Sequence, residues 1–428
     1  MLRLVVPRRF GEHPEVALAI ALALLLVVLA GLGAIEHARL VRQRASIRIR
    51  IHVNGTRGKS SLVRLIAAAL RAHGVRTYAK TTGSEPRLIA PDGSELPVFR
   101  PGLPNVIEQL RIIAIAAEDR AEALVLECMA LQPHLQALCE LEVLRSTHGV
   151  ISNAWPDHLD VMGPGEPDVA RALLGTCPVR GVLFTAEREH VALFEAACRG
   201  RGTRLVPVGD AELAAISGDE LARFHYLEHR ENVALALAVC AELGIPRAVA
   251  LAGMSNAEPD VGALREFEID YFGRRVVFVN GFAANDPIAT ERVWNLALAR
   301  HGDRETRLMV LNCRLDRSDR SHQLGVALPH WAPADHYFLV GTGTFALARS
   351  ALRAGLPATK LTPLEGESPE SVFEELIGAA GSSALVVGAG NIAGTGLELQ
   401  RYFANRAQLP GQVPRSEPKA GEDHRVDA

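Results

Sequence analysis

The chain has 428 residues, 48% of them hydrophobic, which is enough to bury two separate α/β cores. A formal charge of -3 and a pI near 6.6 give no reason to expect nucleic-acid binding. The six cysteines show no Cys-x-x-Cys pair and no zinc-type His spacing, so they read as reduced, buried thiols.

Val16 to Ile35, VALAIALALLLVVLAGLGAI, is a run without a charge. As a helix it spans about 30 Å of hydrocarbon. Arg3, Arg8 and Arg9 precede it, and Arg39, Arg42, Arg44, Arg48 and Arg50 follow. The run is longer than the apolar part of a cleaved signal peptide and has no clear A-x-A site. It predicts an uncleaved single-pass anchor, helical over about 16–35, with the C-terminal side cytoplasmic. Ser46 to Asn54 then alternates as a strand, a loop follows at once, and Ser60 to His73 has one apolar helical face (Leu62, Leu65, Ile66, Ala69, Leu70). Next come a strand at Val75–Lys80, a hairpin around Pro91-Asp92-Gly93, and a helix from Asn105 to Glu118. Strands at 123–127, 149–153 and 182–186 and a helix from Glu231 to Leu243 complete a β-α-β alternation, which predicts a mostly parallel sheet. From about residue 262 the pattern restarts, with strands 267–272 and 275–280 flanking a Gly273-Arg274 turn. Helix and strand then alternate through 307–312, 336–341 and 384–390. The expected organisation is an anchor over 1–45, a domain over 46–261, a smaller α/β domain over 262–405 and a disordered tail over 406–428.

Three stretches can carry chemistry. HVNGTRGKSS (52–61) joins a strand to a helix, and such a joint aims backbone N–H groups and the positive helix end at phosphate. Lys59 adds a charge for β/γ-phosphates and Ser60 a hydroxyl for Mg²⁺. Only four of the 46 basic residues are lysines (59, 80, 360 and 419), so a lysine at this place is informative. Glu127 ends a buried strand, where a carboxylate faces the ligand crevice of a parallel sheet and is a metal-ligand candidate. SNAWPDHLD (152–160) follows another strand and sets Asp157, His158 and Asp160 close together, suited to a second metal ion or to orienting a nucleotide.

In this order, with HRENVALALAVCAELG behind them, these motifs resemble the Mur ligase superfamily. Its loop Gly-Thr-x-Gly-Lys-Thr/Ser matches Gly55, Thr56, Gly58, Lys59 and Ser60, with Ser61 beside it. Its metal glutamate matches Glu127. Its Asn-x-x-x-Asp-His-x-Asp block matches Asn153, Asp157, His158 and Asp160, and the Asn before its closing helix matches Asn232. Arg265 and NGFAANDP, with Asn285, look like its nucleotide-facing segment. Within the superfamily the chain resembles the membrane-anchored ligase subunits of poly-γ-glutamate synthases, over about residues 47–400. That likeness rests on the anchor, TTGSEPRLIAPDG, VNGFAANDP and GNIAGTG.

The resemblance implies a P-loop, Mur-ligase-like ATPase domain and a Rossmann-like C-terminal domain. It implies an ADP-forming ligase that makes γ-glutamyl bonds through an acyl phosphate, with ATP and Mg²⁺. Lys59 and the loop would hold the phosphates, with Mg²⁺ on Ser60 and Glu127 and with Thr82 or Ser84 nearby. His158 would hold a second Mg²⁺, and Arg57 would neutralise the γ-phosphate or the incoming carboxylate. The implied partners are glutamate and its growing polymer, the membrane, and multi-pass and extracytoplasmic export subunits, with room for a homo-oligomer. Two departures stand out. No lysine lies between Lys80 and Lys360, so the carbamylated lysine of many Mur ligases has no counterpart, and Asn280 replaces an expected Asp. Open alternatives are a sister ligase acting on folate or another amino acid, and a membrane-tethered ATPase that forms no bond.

Overall fold

The computed structural model describes residues 14–83, 86–100, 104–226, 228–260 and 264–407. Ser84 and almost all of the predicted tail therefore lie outside the described residues. The chain divides after Asp260 into two compact units.

The first helix, α1 (Pro14–Ser46), carries the one described stretch long and apolar enough to cross a membrane, and none of its most apolar window is buried. It runs on past Ile35 and takes in Ser46, where a strand was expected to begin. The reason is local and tertiary together. Residues 36–46 contain no Gly or Pro and are rich in Ala, Arg, Leu and Gln, good helix formers. Leu40 packs on the core formed by Ile47, Ile112, Ile113 and Leu124. The buried Arg44 donates to the carbonyls of Glu142 (2.9 Å) and Val143 (3.3 Å).

Strand β1 (Ile49–Asn54) follows, then α2 (Lys59–Ala72), β2 (Thr77–Lys80), β3 (Arg87–Ile89), β4 (Glu95–Pro97), α3 (Glu108–Glu118), β5 (Ala123–Glu127), β6 (His148–Ile151), β7 (Val182–Thr185) and β8 (Arg204–Pro207). They form one sheet in the order β4-β3-β2-β5-β1-β6-β7-β8, parallel except for β2–β3–β4. Strand β1 is central, with Val53 opposite both Glu127 and Val150. The chain leaves β1 toward β2 on one side and leaves β5 toward β6 on the other. The carboxyl ends of β1 and β5 therefore flank a topological switch point, where open α/β sheets bind ligands. Helix α2 covers this point with Leu62 to Leu70 all buried.

A charged pair lies inside this sheet. His52 of β1 is 2% exposed, and its Nδ1 is 2.8 Å from Oε2 of Glu140, itself 1% exposed. Glu140 sits on a π-helical turn, Cys139–Leu144, and also accepts from the Ser146 N–H (2.8 Å) and hydroxyl (2.9 Å). Burial disfavours the imidazolium, but hydrogen bonds with Cys128 and Glu140 outweigh it and raise His52 to about 10.

The second unit has β9 (Arg265–Tyr271), β10 (Arg274–Asn280), β11 (Thr306–Cys313), β12 (His336–Gly341), β13 (Leu361–Glu365) and β14 (Ser383–Ala389), ordered β13-β12-β11-β14-β10-β9. All pairs are parallel except β9–β10. The hairpin turn falls one residue earlier than expected. Arg274 pairs with Tyr271, leaving Phe272 (φ 50) and Gly273 (φ 77) as a two-residue turn with both φ positive, which suits the twist of a hairpin. One face of the sheet packs on Trp294, Leu324 and Leu347, the other on Phe373, Leu399 and Phe403. Strands β8 and β13 were not anticipated. Both are short edge strands with residues only half-buried or exposed, so neither shows a continuous apolar run.

Removing one partner of a buried ion pair typically costs about 3–5 kcal/mol. Because the folded pKa of His52 is raised, its contribution is fully present below the unfolded value near 6.5 and is lost as pH rises through about 10. Thermal melts of wild type and His52→Gln are expected to differ most near pH 6 and to converge toward pH 10 to 11. A gap that stays constant with pH would contradict the charged pair.

Candidate active site

The chain leaves β1 at Asn54 and reaches α2 through Gly55 (φ 130) and Gly58 (φ 82), a path only glycine takes readily. Side chains there are also sterically barred. A Cβ on Gly55 would collide with the Ser152 hydroxyl, and one on Gly58 would lie 2.5 Å from Asn232 Oδ1. The loop is held by the segment that continues β6. The Asn153 carbonyl accepts from the Thr56 N–H (3.1 Å), and its side-chain Oδ1 accepts from the Thr56 hydroxyl (2.6 Å) and the Arg57 N–H (3.1 Å). The Ser152 hydroxyl donates to the Arg57 carbonyl (2.5 Å), and the Trp155 N–H to the Thr56 hydroxyl (3.1 Å). Lys59 arches back to the Gly55 carbonyl (2.7 Å). Helix α2 has no side-chain cap, so its first-turn N–H groups, beside Ser60 and Ser61, suit an anion.

Across the switch point, Glu127 is 2% exposed, and its Oε2 accepts from the Ser60 hydroxyl (2.9 Å) and the Thr82 N–H (2.7 Å). Gln109 of α3 donates to the Glu127 carbonyl (3.1 Å) and fixes the strand end. A serine hydroxyl beside a carboxylate, next to an uncapped helix start, suits a hard divalent cation that keeps water and phosphate oxygens as its other ligands. Thr82 joins this group through its backbone.

Asp157 and His158 lie on the other side of the loop. Arg57 Nη1 is 3.5 Å from Asp157 Oδ2, which ties the loop to the Asp-His turn. His158 takes a left-handed conformation (φ 47), with Nε2 3.8 Å from Asp157 Oδ1, and Asp160 is exposed in the short helix that follows. Among the described residues, neither Glu127 nor His158 belongs to a group of three potential ligands within 4.8 Å of one another. The group that does is Glu166, Glu189 and His190.

Asn232, at the start of the helix Arg230–Glu242, donates from Nδ2 to Glu228 (2.8 Å), so its carbonyl oxygen faces Gly58. Burial raises the pKa of Glu228. Sequence reasoning missed Glu228, Gln109 and Ser152, which act behind the loop. An acid one turn ahead of Asn232 was the available signal for the first. Gln109 is hidden on an otherwise apolar helix face. In the second unit, Arg265 pairs in register with Asn280 at the carboxyl end of β10. Asn285 precedes Asp286, which caps the helix Pro287–His301 by accepting from the Ala289 N–H (2.8 Å). Part of NGFAANDP is therefore a helix start.

The fold and the loop define the Mur ligase class. Residues 53–216 match the Mur ligase middle domain, and residues 266–406 match the poly-gamma-glutamate synthase CapB C-terminal domain. The chain is similar in fold to the folylpolyglutamate synthase of Thermotoga maritima (TM-score 0.62, 14% identity, 87% of this chain and 92% of that one). It is also similar in fold to the Mycobacterium tuberculosis enzyme solved with ADP (TM-score 0.63, 18% identity, 87% and 94%). In sequence it is 34% identical to the PGA synthase CapB of Bacillus subtilis (strain 168) over 88% of this chain and 94% of that one. It is 35% identical to the capsule biosynthesis protein CapB of Bacillus anthracis over 82% and 75%. The chain belongs to the poly-γ-glutamate synthase CapB family.

Gly58→Ala combines a left-handed backbone with a collision against Asn232. We expect calorimetry to show ADP affinity at least about ten-fold lower, equivalent to about 1.4 kcal/mol. Unchanged affinity would mean that the loop does not form the nucleotide site.

Proposed function

We propose that this chain is the ATP-dependent ligase of poly-γ-glutamate synthesis, joining glutamate to a growing chain through an acyl phosphate with release of ADP. The observation that carries the reading is the Gly55–Ser60 loop, with Lys59 and the Ser60–Glu127 pair at the switch point of a parallel sheet. The names of the Bacillus relatives support the polymer. The Mycobacterium tuberculosis neighbour solved with ADP, and a Yersinia pestis neighbour solved with AMPPNP and Mn, support a nucleotide and a divalent metal.

A carboxylate does not condense with an amine until its oxygen becomes a leaving group, and phosphoryl transfer from ATP achieves this. Catalysis of that transfer is positioning plus charge neutralisation. The N–H groups at the start of α2 and Lys59 hold the β- and γ-phosphates. Ser60 and Glu127 would hold Mg²⁺, which supplies charge neutralisation between the phosphates, and Thr82 orients Glu127 from its backbone. Arg57 lies between the loop and Asp157, placed to meet the acceptor carboxylate, and His158 lies beside it as a polar or metal-binding group. Asn232 seats the loop. Arg265 and Asn285 are assigned to the nucleotide from the second unit, and Ser84 to the metal.

The apolar part of α1 anchors the chain in the cell membrane as a single pass, with both units on the cytoplasmic side where ATP is available. Multi-pass and extracytoplasmic subunits complete the synthase and its export path. Membranes containing the whole complex should convert ATP to ADP and phosphate in step with glutamate polymerisation, and Lys59→Ala should lower the rate at least about a hundred-fold. AMP and pyrophosphate as products would overturn the acyl-phosphate route, and an active Lys59→Ala variant would overturn the site.

A further inference from the structure

The carboxylate of Asp260, the last residue of the first unit, and the Ser60 hydroxyl both border Gly83. Gly83 follows Thr82, whose N–H holds Glu127. A methyl group added to Gly83 would lie 3.2 Å from Asp260 Oδ2 and equally 3.2 Å from the Ser60 hydroxyl. The space that a side chain at position 83 would fill therefore borders two oxygens, one of them already bonded to Glu127.

The other side of Asp260 is fixed by α2 itself. Arg64, one turn beyond Ser60 and 3% exposed, has Nη2 3.8 Å from Asp260 Oδ1. The same guanidinium pairs with Glu95 of β4 through both carboxylate oxygens and donates to the Glu258 carbonyl (3.1 Å). It thus fastens residues 258–260 to the helix that starts at the phosphate loop. Oδ1 lies on the Arg64 side and Oδ2 on the Gly83 side.

We infer that Asp260 supplies a second carboxylate to the divalent cation assigned to Ser60 and Glu127, directly or through one water. The inference rests on the metal reading proposed above. The chemistry fits, because Mg²⁺ is held by one or two carboxylates together with water and phosphate oxygens. One carboxylate from β5 and one from residue 260 would approach it from different elements, and Gly83 provides the gap between them. A side chain at position 83 would crowd both oxygens, its Cβ lying 3.2 Å from each.

The test uses the full-length protein in detergent, with Mn²⁺ as probe, free and with ADP present, read by calorimetry or electron paramagnetic resonance. Asp260→Asn is expected to weaken Mn²⁺ binding by about ten-fold or more, as does loss of supporting ligands at other metal sites. ADP affinity without metal should be unchanged. Gly83→Ala should weaken Mn²⁺ binding in the same direction. A merely structural Asp260, serving only its protein partners, would lower the metal-free melting temperature and leave Mn²⁺ affinity intact, and that result overturns the inference. Glu127→Gln separates the two levels. If it weakens Mn²⁺ binding while Asp260→Asn does not, only the role of Asp260 fails. If Glu127→Gln also has no effect, the metal site itself is misplaced.

Discussion

One asparagine holds the active centre in shape. A tight loop that leads into a helix start proposed to bind phosphate cannot satisfy all of its own backbone groups and needs partners from outside. Asn153 solves this from outside, with its carbonyl and side chain taking the Thr56 and Arg57 donors. Ser152 takes the Arg57 carbonyl from the same segment. Both follow β6, the strand hydrogen-bonded to β1, so the parallel register of two strands sets the position of the clamp. The loop is thereby tied to the sheet, and the uncapped start of α2 remains for the proposed ligand. Such preorganisation is what a site for charged phosphates requires.

The buried His52–Glu140 pair extends the same logic beneath the sheet. It lies on β1 between the end of α1 and the loop, and its acid sits on a π-helical turn, a form frequent at functional sites. Hydrophobic residues could fill that space at similar or better stability. What the pair adds is direction: the 2.8 Å contact of His52 Nδ1 with Glu140 Oε2 joins β1 to the Cys139–Leu144 turn through one specific geometry.

Most of the first unit was legible because its signals are local. A buried parallel strand reads as an apolar run, and Ala123–Glu127 was placed without error. The Gly-Thr-Arg-Gly-Lys-Ser loop announces itself between a strand and a helix. Contacts made across long sequence separations were hidden. Nothing in the sequence says that Asn153 clamps Thr56, that Glu228 turns Asn232, or that Arg64 reaches both Glu95 and Asp260. The edge strands β8 and β13 were missed because half-exposed strands alternate weakly. The end of α1 was misjudged because hydropathy stops at Ile35 while helix propensity and the Arg44 contacts do not.

That continuation changes what the anchor does. A Gly/Ser-rich tether would let the catalytic units wander over the bilayer. Here the helix passes from the apolar stretch to Leu40, the first residue packed on the domain, without leaving helical geometry. At 1.5 Å per residue, Ile35 and Leu40 are only about 8 Å apart along the axis. In the proposed anchored state the first unit therefore stands at the membrane face, with its rotation about α1 set by the buried Arg44. Strand β1 begins at this junction and ends at the phosphate loop, a strand length of about 20 Å. One end of β1 thus adjoins α1 and the other delivers Gly55, so in the proposed anchored state α1 orients the first unit as well as localising it.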